Sequence, residues 1–135
     1  APWLFRMVVA QVARDARRDA TSLLSTLEKL GPTDREMLGR EEFRQEFSRS
    51  LAEAFRQGGP GVALDFTLQA RAWNVPLNEI QVPIQIWHGE DDRLVFPQAS
   101  RILAEALPRA TTHFVPEAGH LMFADHASDI LQSVL

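Results

Sequence analysis

At 135 residues, 45% of them hydrophobic, the chain is long enough for one ordinary domain with a core. Its formal net charge of -4, from 14 Lys+Arg against 18 Asp+Glu, argues against a nucleic-acid or anionic-membrane partner, because phosphate binding needs a basic field. The absence of cysteine excludes disulfides, zinc-thiolate sites and a cysteine nucleophile, and it suits a reducing cytoplasm.

The chain opens on Ala1-Pro2 and enters amphipathic helix almost at once, as expected of a segment entered partway through a longer protein. The apolar stretch from Trp3 to Val12 is too short to cross a bilayer, contains Arg6, and lacks the layout of a secretory signal. Phe5, Val8, Val9 and Val12 recur at helical spacing, with Pro2 suited to a first turn. In Arg14-Asp15-Ala16-Arg17-Arg18-Asp19 the arginines alternate with aspartates, which predicts a solvated helix face. Leu23, Leu27 and Leu30 continue the helical pattern until Gly31-Pro32 stops it. Thr33-Asp34-Arg35-Glu36 has the form of a capping box, with the Thr33 hydroxyl accepting from the Glu36 amide. Phe43, Phe47, Leu51 and Phe55 form one stripe ending at Gly58-Gly59-Pro60, and Val62, Phe66, Ala70 and Trp73 form another. Residues 1–78 thus read as a cluster of short helices.

Near residue 80 the pattern changes. Val82, Ile84, Ile86 and Trp87, bounded by Pro83 and Gly89, predict a buried strand. Pro97 to Leu107 reads as a helix with Ala99, Ile102, Leu103, Ala106 and Leu107 on one face, and Thr111 to Val115 as a second strand. Gly119-His120 follows as a loop and Ala127 to Leu135 as a terminal helix. Strand, helix, strand, helix over residues 79–135 predicts a parallel β-α-β-α unit in an α/β fold. Two parallel strands alone make a poor sheet, since parallel sheets are covered on both faces and at their edges. Either the helices of the first half cover an unusually small sheet, or most of the sheet lies on another polypeptide segment, and the second is the expectation.

The two loops that end these strands carry chemistry. Val82-Pro83-Ile84-Gln85-Ile86-Trp87-His88-Gly89-Glu90-Asp91-Asp92-Arg93-Leu94-Val95 closely resembles the acid-bearing strand and turn of the α/β-hydrolase superfamily, where Gly-x-x-Asp is followed by x-x-Val. The resemblance makes Asp92 the triad acid and Asp91 its structural neighbour. The proline usual directly after that valine is replaced by Phe96, with Pro97 following. Leu107-Pro108-Arg109-Ala110 leading into a strand and then Pro116-Glu117-Ala118-Gly119-His120 is the second match, and it makes His120 the triad base. Asp92 and His120 stand 28 positions apart, room for a turn, a helix and a strand. The resemblance covers residues 33–135, and the first 30 residues fit as generic lid helix. It implies a fragment of an α/β-hydrolase fold: a helical lid over residues 1–78, then the carboxyl-terminal part of the core over 79–135.

Without that context Asp92 is a turn aspartate bonding its own backbone and His120 a loop histidine at a strand end. Of the other histidines, His88 reads as a packing residue or hydrogen-bond donor, His113 lies inside the second strand, and His126 near a helix start. His88, Glu90, Asp92 and His120 could face one crevice, but they lack a recognisable metal-ligand spacing, so no metal is expected. Trp73, Val95 and Leu121 are the candidate substrate-pocket residues, the last two because they flank the catalytic loops.

In this family a serine in a Gly-x-Ser-x-Gly elbow is the nucleophile, activated by the imidazole that the carboxylate orients. None of the seven serines (22, 25, 48, 50, 100, 128 and 133) has that context. The resemblance therefore implies a hydrolase of ester, amide or related bonds that needs no cofactor and whose nucleophile lies outside this chain. The chain alone is expected to be inactive. Its expected partners are a missing amino-terminal half or a second copy, together with a small-molecule substrate. A dehalogenase or epoxide hydrolase relative, with an aspartate in the elbow, is an alternative, as is a non-catalytic dimerising or partner-binding module.

Overall fold

A computed structural model describes residue 7 and residues 9–14, 30–72 and 74–135. The chain divides into two compact units, one drawn from residues 1–28 and 38–74, the other from 29–37 and 75–135. Leu23, Leu27 and Trp73, and most of the first predicted helix, lie outside the described residues.

In the first unit residue 7 and residues 9–14 are helical. Helix α1 (Pro32–Gly39) belongs to the second unit as far as Met37, and α2 (Glu41–Ala54) and α3 (Pro60–Gln69) follow in the first. Ala13, 1% exposed, and Phe55, 7% exposed, form the centre of its core, with Val12, Leu51 and Val62 packed around them. Phe43 and Phe47 stack one turn apart with ring centroids 5.6 Å apart, so the predicted stripe on α2 exists and deepens toward Phe55. On α3 the predicted stripe fails at Phe66, which is 54% exposed, while Ala63 is buried. That helix carries apolar residues on every side, Leu64 and Leu68 included, so spacing alone does not select its buried face.

After α1, the second unit continues with a short 3-10 turn (Leu77–Glu79), then β1 (Ile84–Gly89), α4 (Pro97–Ala106), β2 (Ala110–Val115), a second 3-10 turn (Met122–Ala124) and α5 (Ala127–Gln132). β1 and β2 pair in parallel, in a register running from Ile84 opposite Ala110 to Gly89 opposite Val115. Among the described residues they form the whole sheet. Pro83 closes the strand at its start, and Val82, expected within the buried run, is 63% exposed.

Helix α4 crosses between the strands and packs on both. Ser100, Leu103 and Ala104 are partly buried and Leu107, just past the helix end, is buried, a regular 0, 3, 4, 7 row. Ile102, expected on that face, is 59% exposed, because a two-stranded sheet covers only a narrow strip of helix. The parallel crossover brings the carboxyl ends of both strands to the same edge, where Gly89 and Val115 lead into the two loops of interest.

The capping box does not form. Helix α1 starts at Pro32, suited to a first helical position by its fixed φ and missing N–H, so Thr33 already lies within the first turn. The Thr33 hydroxyl donates instead to the Glu117 carbonyl at 3.0 Å.

Candidate active site

β1 ends in a tight turn in which the Asp92 N–H donates to the Gly89 carbonyl at 3.2 Å. One carboxylate oxygen of Asp92 secures that loop: Oδ1 accepts the backbone N–H groups of Leu94 at 2.8 Å and Val95 at 2.9 Å. The other faces histidine. Oδ2 lies 2.9 Å from Nδ1 of His120 and 3.3 Å from Nε2 of His88. The side chain thus serves its own turn and the imidazole at once.

The approach of the two loops depends on Gly89. A Cβ there would lie 2.3 Å from the Ala118 carbonyl oxygen and 2.5 Å from that of Gly119. The Asp91 N–H donates to the same Ala118 oxygen at 2.9 Å, and the Glu90 N–H to Val115 at 2.9 Å. A bare Gly89 and these backbone bonds hold the loop after β2 against the loop after β1. That closeness brings residues 28 positions apart within hydrogen-bond reach.

Asp92 is 6% exposed. Burial pushes its carboxyl pKa up, but the Val95 N–H, His120 and the Leu94 N–H together outweigh that and hold it below the usual carboxylate value. With the carboxylate ionised, Nδ1 of His120 donates to Oδ2, which leaves Nε2 with a lone pair to accept a proton. His120 is partly exposed at the mouth of an open crevice of about 300 Å³ that Val95, Phe123 and Ile130 also line.

A carboxyl whose native pKa is depressed stabilises the fold above its unfolded value, about 3.9, and that contribution is lost as pH falls through the lower native value. Asp92→Asn is therefore expected to flatten the loss of stability below about pH 4, read from denaturant midpoints across the acid range. A variant whose midpoints keep the wild-type slope there would show that Asp92 contributes nothing to it.

The remaining candidates divide. His88 is tied down at both nitrogens: Nε2 donates to the Val95 carbonyl at 2.9 Å, so Nδ1 accepts the Ser100 hydroxyl at 2.7 Å. It buttresses the acid turn. Glu90 turns to Arg101 at 3.3 Å rather than joining the histidines. His113 bonds Gln85 at 2.8 Å and stacks on Trp87 at 4.2 Å, and His126 lies 3.4 Å from Asp129. Val95 lines the crevice, 45% exposed. Leu121 is 3% exposed and is not among the crevice-lining residues, while Trp73 lies outside the described residues.

The sequence hid one participant. Asp34, 1% exposed, accepts the Leu121 N–H on Oδ1 at 2.8 Å, from 87 positions away. Its pattern with Thr33 and Glu36 resembles an ordinary helix start, and nothing local in the sequence points to the loop it meets.

A family model described as the alpha/beta hydrolase fold matches residues 2–127. The chain belongs to the α/β-hydrolase fold family. It is 31% identical over 102 residues to a pimeloyl-[acyl-carrier protein] methyl ester esterase of Chromobacterium violaceum, a match covering 73% of this chain and 40% of that protein. In three dimensions it is similar to an esterase from Exiguobacterium antarcticum, with a TM-score of 0.55 and 19% identity, over 96% of this chain and 46% of that one. The chain therefore spans less than half the length of either relative. Among the described residues no helix is long and apolar enough to cross a membrane.

Proposed function

We propose that this chain carries the acid and the base of a serine hydrolase for carboxylic esters, with the nucleophile supplied from outside these 135 residues. The observation that carries this reading is the 2.9 Å bond between Asp92 and His120 at the carboxyl ends of two parallel strands. A serine hydroxyl is a poor nucleophile until a base removes its proton. His120 takes that proton on Nε2 as the serine oxygen attacks the ester carbonyl, and Asp92 stabilises the imidazolium that results. The same proton then goes to the departing alkoxide. Water repeats the cycle on the acyl-enzyme, giving the carboxylic acid and the free serine.

The likeness to two proteins named as esterases supports an ester over an amide or a carbon–halogen bond. The apolar wall of Val95, Phe123 and Ile130 beside His120 suits the hydrocarbon part of a small ester. None of the seven serines sits in a Gly-x-Ser-x-Gly run, which supports a nucleophile elsewhere, on an amino-terminal half. Residues 1–78 act in this reading as the helical lid, with residues 79–135 as part of the hydrolase core, in a cytoplasmic protein.

The test is covalent. The chain by itself, incubated with a fluorophosphonate probe and with p-nitrophenyl butyrate, is expected to take no label and release no nitrophenol. The full-length protein is expected to label on one serine outside these residues. Stoichiometric labelling of Ser22, Ser25, Ser48, Ser50, Ser100, Ser128 or Ser133 would overturn the reading.

A further inference from the structure

We propose that Asp34 is a positioning residue for His120, setting the orientation of the base by anchoring the turn that carries it. The inference rests on the proposed role of His120, and it adds a residue that lies on a different element. Thr33 and Asp34, adjacent on the first turn of α1, grip the turn on either side of the histidine. The Thr33 hydroxyl donates to the Glu117 carbonyl at 3.0 Å, three residues before His120, and Asp34 Oδ1 accepts the Leu121 N–H at 2.8 Å, one residue after it.

The turn needs such anchors. Glu117 holds a φ of 56°, in the left-handed region that a residue with a side chain resists. The turn and the two anchoring residues together line a cavity of about 180 Å³, with Met37 and Met122 beside them, so packing there leaves the turn room to shift. At Asp34 itself the contact is close. A Cβ on Gly119 would lie 2.4 Å from the Asp34 carboxyl carbon and from both of its oxygens. The carboxylate thus presses against the peptide immediately before His120 while it holds the N–H immediately after.

Burial sharpens the case. Asp34 Oδ2 is buried with no hydrogen-bond partner among the described residues. An apolar side chain would fill the same space without that desolvation cost, but it could not accept the Leu121 N–H, which would then be left bare beside the base. The imidazole–carboxylate bond at 2.9 Å tolerates little displacement, and a misplacement of about 1 Å in catalytic geometry costs on the order of 100-fold in rate.

The experiment uses the full-length protein, p-nitrophenyl butyrate as substrate, and the imidazole ¹H–¹⁵N resonances of His120, assigned by their loss in His120→Ala. Asp34→Ala is expected to lower kcat by about 10- to 100-fold with KM within roughly threefold, and to shift or broaden the His120 Nδ1–H signal. Asp34→Asn keeps the oxygen that accepts the Leu121 N–H, and it should rescue kcat to within about threefold of wild type. Thr33→Val, which removes only the hydroxyl bond to Glu117, serves if Asp34→Ala does not fold, and should lower kcat several-fold with the same shift in the His120 signal.

A folded Asp34→Ala with wild-type kcat and an unmoved His120 signal would overturn the proposal. So would an Asp34→Asn as impaired as the alanine variant, or, if Asp34→Ala does not fold, a Thr33→Val with wild-type kcat and an unmoved signal. Full activity in His120→Ala would instead sink the base assignment itself. In that case the His120 signal alone decides whether Asp34 positions the ring: displacement supports it, and an unmoved signal overturns it.

Discussion

Replacing His120 with alanine in the full-length protein is expected to lower kcat for a p-nitrophenyl ester by about 10⁴-fold or more, with KM changed by no more than a few-fold. The imidazole lines the crevice and, in the proposed mechanism, receives a proton only as the nucleophile attacks, so its loss should fall on the transition state rather than on substrate binding. Asp92→Asn is expected to cost on the order of 10³- to 10⁴-fold. The amide retains the shape of the side chain and an oxygen for the Leu94 and Val95 N–H groups, so the turn survives. What it presents to His120 Nδ1 is then an NH₂, which stabilises the wrong tautomer and leaves the imidazolium without a counter-charge. Steady-state kinetics on the two purified variants check both values. Activity within tenfold of wild type in either one would remove that residue from the mechanism.

Gly89→Ala is the second large effect, and it acts on structure first. Its Cβ would collide at 2.3 Å and 2.5 Å with two carbonyl oxygens of the opposing loop, and both are backbone atoms that no rotamer change can move. Relief requires the strand end and the loop after β2 to separate. That breaks the Asp91 to Ala118 bond and pulls His120 from Asp92. Overpacking of this kind costs roughly 3 kcal/mol. Thermal unfolding of Gly89→Ala is expected to show that loss, with hydrolysis reduced at least 100-fold even where the variant remains folded. A stable, active Gly89→Ala would mean that the two loops do not meet as closely as the backbone distances indicate.

Much of this was readable before any coordinates because the informative patterns are local. Gly31-Pro32 and Gly58-Gly59-Pro60 border the starts of α1 and α3 and Gly89 the end of β1 through their own backbone chemistry, and a short apolar run after Pro83 has few structures open to it. The meeting of Asp92 with His120 was legible for a related reason. A parallel crossover of one helix must return the chain to the same sheet edge, so residues just past both strands become neighbours whatever lies between them.

Burial was less legible. Phe66 and Ile102 fit their helical stripes and yet lie exposed, because periodicity identifies an apolar face without saying how much partner surface there is to cover it. Asp34 escaped altogether. Its tie to Leu121 spans 87 positions, and its immediate neighbours already offer an explanation that the fold does not use. The same ambiguity attaches to Thr33: a hydroxyl near a helix start serves equally well as a cap or as a donor to a distant carbonyl, and only the location of Glu117 decides.

The central claim is that Asp92 and His120 work as one unit on a nucleophile. A double-mutant cycle in the full-length protein tests it most directly, with kcat measured for Asp92→Asn, His120→Ala and the pair together. If the carboxylate acts only through the imidazole, the double variant should be no slower than His120→Ala alone, within about threefold. Multiplicative losses, each substitution exacting its full cost in the presence of the other, would contradict the account.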